Sequence, residues 1–505
     1  MKTQYYAGVD LGSNSFHLVL ARRVNQQLQI VDRMREMVRL GAGLRDDGRI
    51  DKETQTRALA AAVRFGDRLR GLPSDHVRVV GTYTLRRARR ADKFLDRVAD
   101  AIGHPVEIIS GQEEARLIYR GVGFTRGVAK SRRLVFDIGG GSTELILGEG
   151  PHPLAMESLF MGCVSYSHRF FPNGRITRKR WRQAEIAARL ELQPVESQFR
   201  GLGWQEAVGT SGSVRAMSNV LTEQGAEDGV ISPAGLADLK QQLLDIGHID
   251  RLSFPTLTSD RAAVFVGGVV ILCAAFEGLG IERLIPCDGA LREGLLDEMV
   301  GPEVREDVRN QTVESLLTLY HADRLQAQQV GDTAIYFFDQ VAAQWGIDDH
   351  ELRELLAYSA QLHEIGLAVS HSGYHKHGHY LLSHGDLAGF SWENQGLIAA
   401  LVRLHRRKLV LQGTADQVVL EYSNAVLPLI VLLRLAVLMH RNRVHEAHPD
   451  VTLTAGDKKL HLQFPPRWLS ERPLMEADLI QEARYLRGSG YKLTFGSEGE
   501  TPFSL

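Results

Sequence analysis

The segment Val9-Asp10-Leu11-Gly12-Ser13-Asn14-Ser15-Phe16-His17-Leu18-Val19-Leu20 returns later in the chain, in unbroken register, as Phe136-Asp137-Ile138-Gly139-Gly140-Gly141-Ser142-Thr143-Glu144-Leu145-Ile146-Leu147. In each copy apolar residues flank a short run of Gly, Ser and Asn that tolerates the dihedrals of a tight turn. Each copy therefore predicts a strand, a turn and a returning strand. A duplicated hairpin in turn predicts two lobes of related plan. Behind the first copy the pattern predicts a helix over 51–72, a strand over 76–81, a helix over 91–102 and a strand over 106–109. The second copy is followed by a strand-turn element at 207–213 and by Asp288-Gly289-Ala290-Leu291-Arg292-Glu293-Gly294. Strands alternating with helices imply an α/β fold, with a mixed-to-parallel sheet covered by helices.

From about Gly301 the texture changes to helical periodicity over 304–320, 325–344, 350–365 and 425–439. The tail changes again, with strands expected at 451–454, 459–464 and 491–495 and a helix at 473–486, a small α+β module. The expected division is a first lobe at 1–123, a second at 124–300, an all-helical domain at 301–445 and the small module at 446–505.

Among 505 residues, 59 basic and 61 acidic side chains leave a formal charge of −2, so no global field draws in nucleic acid and any anion site must be local. The three cysteines, Cys163, Cys273 and Cys287, form no CxxC pair, which argues against a disulfide framework or a thiolate metal site and suits a reducing cytoplasm. The polar start, Met1 to Tyr6, lacks the pattern of a secretory signal. The longest apolar runs, 264–276 and 427–439, fall short of the ~20 residues that span a bilayer and are expected as buried helices.

Turns of Gly and Ser let an anion reach main-chain N–H donors, which makes both hairpins candidate phosphate grips. One such turn would be an ordinary connector, but two matched copies are hard to explain that way. Asp10 and Asp137 precede the two turns at equivalent positions, where a pair of carboxylates suits Mg²⁺, which takes a few carboxylates with water and phosphate oxygens. The bland alternative is that each Asp caps its own turn. Hydrolysis also needs a group to deprotonate water, and Glu114 and Glu144 are the best placed carboxylates. Glu113 and Glu114 are adjacent on one helix, so only one of them is expected to face a cleft. Arg86 could fork onto a phosphate, or belong to the solvated run Arg86-Arg87-Ala88-Arg89-Arg90.

In the helical domain, His363-Glu364 lies near His371, His375, His377, His379 and His405. Metal-dependent phosphohydrolases of the HD class use a His-Asp pair with further ligands, but Glu stands here for Asp and no final ligand is evident, so a catalytically silent domain is expected. Its cations, among them Lys376, Arg403, Arg406, Arg407 and Lys408, could track a polyanion or be a solvated helix end.

Together, VDLGSNSFH (9–17), GTYTLR (81–86), ISGQEEARLIY (109–119), FDIGGGSTEL (136–145), MGCVS (161–165), GTSGSVRA (209–216), DGALREG (288–294) and LHEIGL (362–367) resemble the exopolyphosphatase/guanosine pentaphosphate phosphohydrolase family of the actin-like ATPase superfamily. The resemblance runs over nearly the whole chain. It implies two actin-like, ribonuclease H-like lobes, an HD-like helical domain and the small C-terminal module. It also implies Glu114 as catalytic base, Asp137 and Glu144 as metal- and water-organising carboxylates, and Asp10 as a metal partner. Ser13, Asn14, Ser15, Arg86, Gly139, Gly140, Gly141, Ser142 and Thr143 resemble the phosphate cradle, to which Gly209, Ser211 and Gly212 are added. Implied cofactors are Mg²⁺, with K⁺ as a stimulating ion.

Within that family the chain looks like an exopolyphosphatase: Gly141 stands where pentaphosphatases tend to carry Ala, and His375, Lys376, His377, Arg403, His405, Arg406, Arg407 and Lys408 resemble the lining of a polyphosphate channel. A channel of cations predicts processive, end-on cleavage. Guanosine pentaphosphate is the alternative substrate. A homodimer and loose attachment to the inner membrane are further expectations of the resemblance. The rival classes are an actin-like ATPase or sugar kinase, and a non-catalytic sensor of phosphate-rich alarmones.

Overall fold

The structure, a computed structural model, describes residues 4–24, 27–45, 47–226, 229–300, 302–385, 387–409, 425–443, 450–499 and 502–504. The expected boundaries at 301 and at 445–446 fall outside these residues. Internal contacts divide the chain into two compact units, Met1–Arg305 and Glu306–Leu505.

In the first unit the duplication is visible as two five-stranded sheets. One contains β1 (Tyr5–Leu11), β2 (Phe16–Val24), β3 (Gln27–Glu36), β4 (Val77–Gly81) and β5 (Val106–Ile108), in the order β3-β2-β1-β4-β5. The other contains β6 (Ala129–Ile138), β7 (Thr143–Gly150), β8 (His152–Leu159), β9 (Glu206–Thr210) and β10 (Ile285–Pro286); read as β8-β7-β6-β9-β10, it has the same order. Register repeats as well. β1 and β2 pair antiparallel with Asp10 opposite His17, and β6 and β7 pair antiparallel with Asp137 opposite Glu144. Each first strand also pairs in parallel with the strand beyond it, β1 with β4 and β6 with β9. Asp10 and Asp137 thus stand near the carboxyl ends of central parallel strands, where α/β sheets bind ligands.

Helices cover both sheets. α1 (Lys52–Leu69) starts at Asp51, whose side chain accepts from the Thr54 N–H. α2 (Tyr83–Arg87) leads away from β4, and α3 (Asp92–Ile102) packs with α1. α4 (Gly111–Arg126) is capped by Ser110, which accepts from the Glu113 N–H at 3.1 Å. In the second lobe, α5 (Cys163–Phe170), α6 (Arg178–Leu202), α7 (Ser211–Glu223) and α8 (Pro233–Ile246) surround α9 (Ser259–Leu279). α9 is long and apolar enough to cross a membrane by length and composition, yet most of it is buried in the core with Phe136, Trp181 and Phe199. α10 (Leu291–Val300) returns to the first lobe and packs on α4 and β1.

A buried ion network locks that return. Arg116 of α4 makes a two-pronged bond to Glu113 at 2.7 Å and another to Glu298 of α10 at 2.5 Å. Glu298 also pairs with Arg78 of β4, which forks onto Glu107 of β5. Glu298 is the shared anion of two buried guanidiniums, and removing one member of such a set leaves uncompensated charge.

The second unit is helical, with Pro302–Leu319, Arg324–Trp345, His350–Leu362 and Val426–Met439 close to the expected spans, and with two helices the sequence reading did not give, Tyr374–His384 and Trp392–Leu404. Its tail forms a four-stranded sheet, β11 (Thr452–Gly456), β12 (Lys459–Phe464), β13 (Lys492–Ser497) and β14 (Phe503–Ser504), with the helix Pro473–Arg487. One apolar core runs through both parts, including Phe337, Leu432, Leu462, Leu479 and Phe495.

Replacing Glu298 by Gln should lower the unfolding free energy of the first unit by about 3 kcal/mol. Denaturant unfolding of the variant, read against a surface control such as Glu53→Gln, checks this.

Candidate active site

The two hairpin turns meet. A Cβ placed on Gly140 would lie 2.9 Å from the Ser13 Cβ and 3.3 Å from the Asn14 backbone nitrogen, so the loops of the two lobes touch across one cleft. That cleft, about 120 Å³, is lined by Asp10, Gly12 to Ser15, Glu114, Asp137 to Gly140, Ser142 and Thr210 to Ser213, and by Arg215, Arg261 and Arg292. Most of the sequence-predicted residues therefore converge. Glu144, Thr143, Gly141, Gly209 and Arg86 stand behind the wall and do not line it.

Local chemistry explains the wall. Ser13 Oγ accepts from Thr84 Oγ1 at 2.7 Å, which ties the first turn to the start of α2. Arg292 Nη1 donates to His17 Nδ1 at 2.9 Å, so the other ring nitrogen, Nε2, carries the proton and donates to Ser15 Oγ at 2.8 Å. Burial and the Arg292 charge hold His17 well below its usual range, in the neutral form this relay requires. In the second lobe the equivalent residue is Glu144, whose Oε1 accepts from Ser158 Oγ at 2.9 Å. Ser211 has a left-handed φ of 84°, a strained conformation for a side-chain-bearing residue that opens α7 at the cleft. At Gly212 a Cβ would lie 1.8 Å from the Arg261 guanidinium, so a larger residue there would displace the end of that side chain from its present place.

Glu114 is buried at the lip of the cleft, and Arg86 Nη1 donates to its Oε2 at 2.8 Å and to the Ile109 carbonyl at the same distance. Glu113 points the other way, into the ion network. Arg86 thus stands committed to Glu114 rather than open to a phosphate. Gly141 also has a packing cause: a Cβ there would sit 2.2 Å from the Tyr83 ring, so its identity follows from the neighbouring aromatic and does not by itself report the substrate.

Charges in the cleft are separated and unbalanced. Burial raises Asp10 and Asp137 to about 7 each, helped by Glu114 and opposed by Arg292, and raises Glu144 well above its ordinary value, with Glu114 and Asp137 adding to the effect. Facing them, burial together with Arg35 and Arg215 lowers Arg261 to about 10, and Arg35 is lowered by burial and by Arg215. Two polar atoms wait without partners, Asp10 Oδ1 and Asn14 Nδ2. An orphaned carboxylate oxygen beside raised carboxylates fits a cation, and an orphaned amide N–H beside arginines fits an anion. No three His, Cys, Asp or Glu side chains converge into a closed metal cage among the described residues.

The arginines were not singled out in the sequence. Arg215 had a usable signal, because Gly-Thr at a strand end followed by an arginine occurs in both lobes, as Gly81-Thr82 with Arg86 and Gly209-Thr210 with Arg215. Arg292 lies within the DGALREG motif (288–294) but was given no role there, and Arg261 comes from a helix with no such mark.

A family model described as the Ppx/GppA phosphatase family matches residues 19–303, and a second, Ppx/GppA phosphatase domain III, matches residues 308–483. The chain belongs to the Ppx/GppA phosphatase family. It is 38% identical, over 97% of its length and 98% of the relative's, to a guanosine-5'-triphosphate,3'-diphosphate pyrophosphatase from Vibrio vulnificus. Among solved structures it resembles an exopolyphosphatase from Cytophaga hutchinsonii, with TM-score 0.54, 24% identity and coverage of 59% of this chain and 98% of that one. The Aquifex aeolicus Ppx/GppA family member is similar, with TM-score 0.51, 24% identity, and 60% and 99% coverage. The fold of the first unit is accordingly a pair of actin-like lobes, and a helical domain follows in the second.

The cation-rich residues lie in the second unit. His375 and His405 are buried there, with rings 6.3 Å apart, and His405 donates Nδ1–H to the Val402 carbonyl at 2.7 Å. Lys376, Arg407 and Lys408 are exposed, and Arg403, Arg406 and His377 are half-buried. The expected row therefore separates into core histidines and surface cations.

The raised carboxylates make a pH prediction. A carboxyl with a folded value near 7 and an unfolded value near 3.8 binds more protons in the native state between those limits, so it erodes stability as pH rises from about 4 to 7 and costs most above 7. Asp137→Asn removes that cost. Without added metal, its melting temperature should exceed that of the parent at pH 8 by several degrees, with the gap closing towards pH 4, while hydrolysis is lost.

Proposed function

We propose that the chain hydrolyses the terminal phosphoanhydride bond of inorganic polyphosphate and releases orthophosphate, with Mg²⁺ as cofactor. The observation that carries this reading is the cleft itself: raised carboxylates on one side, crowded arginines on the other, and an orphan of each polarity between them. A metal-phosphate ligand relieves both imbalances at once. The volume agrees, since about 120 Å³ admits a terminal phosphate.

In this reading Asp10 and Asp137 would hold the magnesium at the cleft, with Glu144 behind them adding negative charge, and the ion would supply charge neutralisation at phosphate oxygens. Main-chain N–H groups of the two turns, with Asn14 Nδ2, grip the terminal phosphoryl group. Arg215, Arg261 and Arg292 take up the negative charge that grows on the bridging oxygen and the departing chain. Arg86 fixes one oxygen of Glu114, and the carboxylate accepts a proton from water as the oxygen attacks phosphorus. The bond from phosphorus to the bridging oxygen breaks, and the products are orthophosphate and a chain one unit shorter. The exposed Lys376, Arg407 and Lys408 are candidate contacts for a long anion. A cytoplasmic homodimer completes the reading.

A second substrate, guanosine 5'-triphosphate 3'-diphosphate, is favoured by the Vibrio vulnificus relative, which matches over nearly its whole length. Its terminal 5'-phosphate would occupy the same cradle with the nucleoside outside.

Glu114→Gln should reduce turnover of polyphosphate by about 10³-fold and leave its binding within a fewfold, because a proton acceptor is lost at constant shape. Undiminished turnover removes Glu114 from the role. Comparison of kcat/KM on polyphosphate and on guanosine pentaphosphate ranks the substrates. A large preference for the nucleotide replaces the first reading by the second, and release of phosphate from neither rejects both.

A further inference from the structure

Ser15 and Ser142 occupy equivalent places in the two turns, and the residue two positions on differs, His17 in the first lobe and Glu144 in the second. That difference sets which way each hydroxyl directs its proton. An arginine carries donors only, so Arg292 Nη1, 2.9 Å from His17 Nδ1, makes that ring nitrogen an acceptor. The imidazole proton then sits on Nε2, which donates to Ser15 Oγ at 2.8 Å. Because its oxygen is the acceptor here, Ser15 keeps its own proton for another partner. Among the described residues this bond to His17 is the one side-chain hydrogen bond that Ser15 makes. Ser15 is buried, and it lines the cleft together with His17 and Arg292. Its free proton is therefore available to an oxygen bound there.

The second turn is wired in the opposite sense. Burial raises Glu144, and a hydrogen bond from Ser142 opposes that rise, the sign of a hydroxyl donating to a carboxylate. Ser142 thus gives its proton to the wall, where Ser15 receives one from it. A phosphoryl oxygen only accepts, so it matches Ser15. Hydrogen bonds in series also polarise one another, and the row from Arg292 through the ring to Ser15 begins on a full positive charge. A serine so placed is a stronger donor than a freely rotating hydroxyl.

We propose that His17 is a positioning residue: it couples Arg292 to Ser15 and fixes the Ser15 hydroxyl as a hydrogen-bond donor to an oxygen of the phosphoryl group in the cleft. The proposal rests on the reading of the cleft as a phosphate site, and it gives His17 a part that is neither metal binding nor proton transfer.

The test is a double-mutant cycle on the full-length chain carrying Glu114→Gln, read as calorimetric binding of magnesium tripolyphosphate, which needs no turnover. Ser15→Ala should weaken binding about tenfold, as loss of one hydrogen bond to a charged group does. His17→Leu should weaken it by a similar factor and, combined with Ser15→Ala, should change it no further, because the ring acts through that hydroxyl. Combined with Ser142→Ala, it should keep its full effect. His17→Gln, which retains an N–H within reach of Ser15, should recover most of the affinity that His17→Leu loses. Melting temperatures report folding, and His17→Asn, polar but too short to reach Ser15, takes the place of His17→Leu if the apolar variant does not fold. With Glu114 in place, kcat should follow the same cycle on whichever of polyphosphate and guanosine pentaphosphate the parent hydrolyses. A parent that hydrolyses neither rejects the reading of the cleft, and the binding cycle still decides the role of His17. Additive losses from His17→Leu and Ser15→Ala, no recovery in His17→Gln, or no binding by the parent overturns the proposal.

Discussion

Charge held apart is what the first unit is built around. Asp10, Asp137 and Glu144 stand at or behind the floor of one cleft, pushed towards their neutral forms, while Arg35, Arg215 and Arg261 crowd one another across it. Folding an apo chain into this state is costly on both sides, and in the proposed reading a ligand carrying a cation and phosphate oxygens would relieve that cost. Preorganised charge of this kind stabilises a transition state without reorganisation at the moment of reaction. Much of the surrounding architecture serves to keep the two sets in place: the twin registers that set Asp10 against His17 and Asp137 against Glu144, the strained Ser211, and the glycine packed against Arg261.

The duplication explains why the site is two-sided and why its halves differ. Gene doubling supplies matched hairpins, but position 17 is a neutral histidine fastened to Arg292, and its counterpart 144 is a carboxylate fastened to Ser158. One lobe therefore became a hydrogen-bonding wall and the other an anionic one. α10 joins them. It brings Arg292 to the cleft and, two turns later, Glu298 to the buried arginines of β4 and α4, so the helix that carries Glu114 and the helix that carries Arg292 are held by one ion cluster.

Legibility from sequence follows these distances. The hairpins were readable because each is local: a turn of small residues between apolar strands needs no tertiary information. The carboxylates were readable because they sit at fixed offsets from those turns. Arg261 was not, since it reaches the cleft from a helix remote in the chain and looks, in one dimension, like any solvated arginine, and Arg292 lay in a quoted motif whose sequence does not say that its side chain turns to the cleft. Arg86 was singled out as a phosphate ligand, and the fold instead lays it along Glu114. His375 and His405 were grouped with surface cations by proximity in sequence, yet helical periodicity turns them inward and their neighbours outward.

If charge imbalance is the organising constraint, binding must move protons. Calorimetry of magnesium with tripolyphosphate, titrated into the Glu114→Gln chain at pH 7 in buffers of different ionisation enthalpy, counts them directly. The account predicts net proton release, because Asp10 and Asp137, raised mainly by burial, start partly protonated and become anionic against the metal. Binding with no proton released, or with uptake, would contradict it.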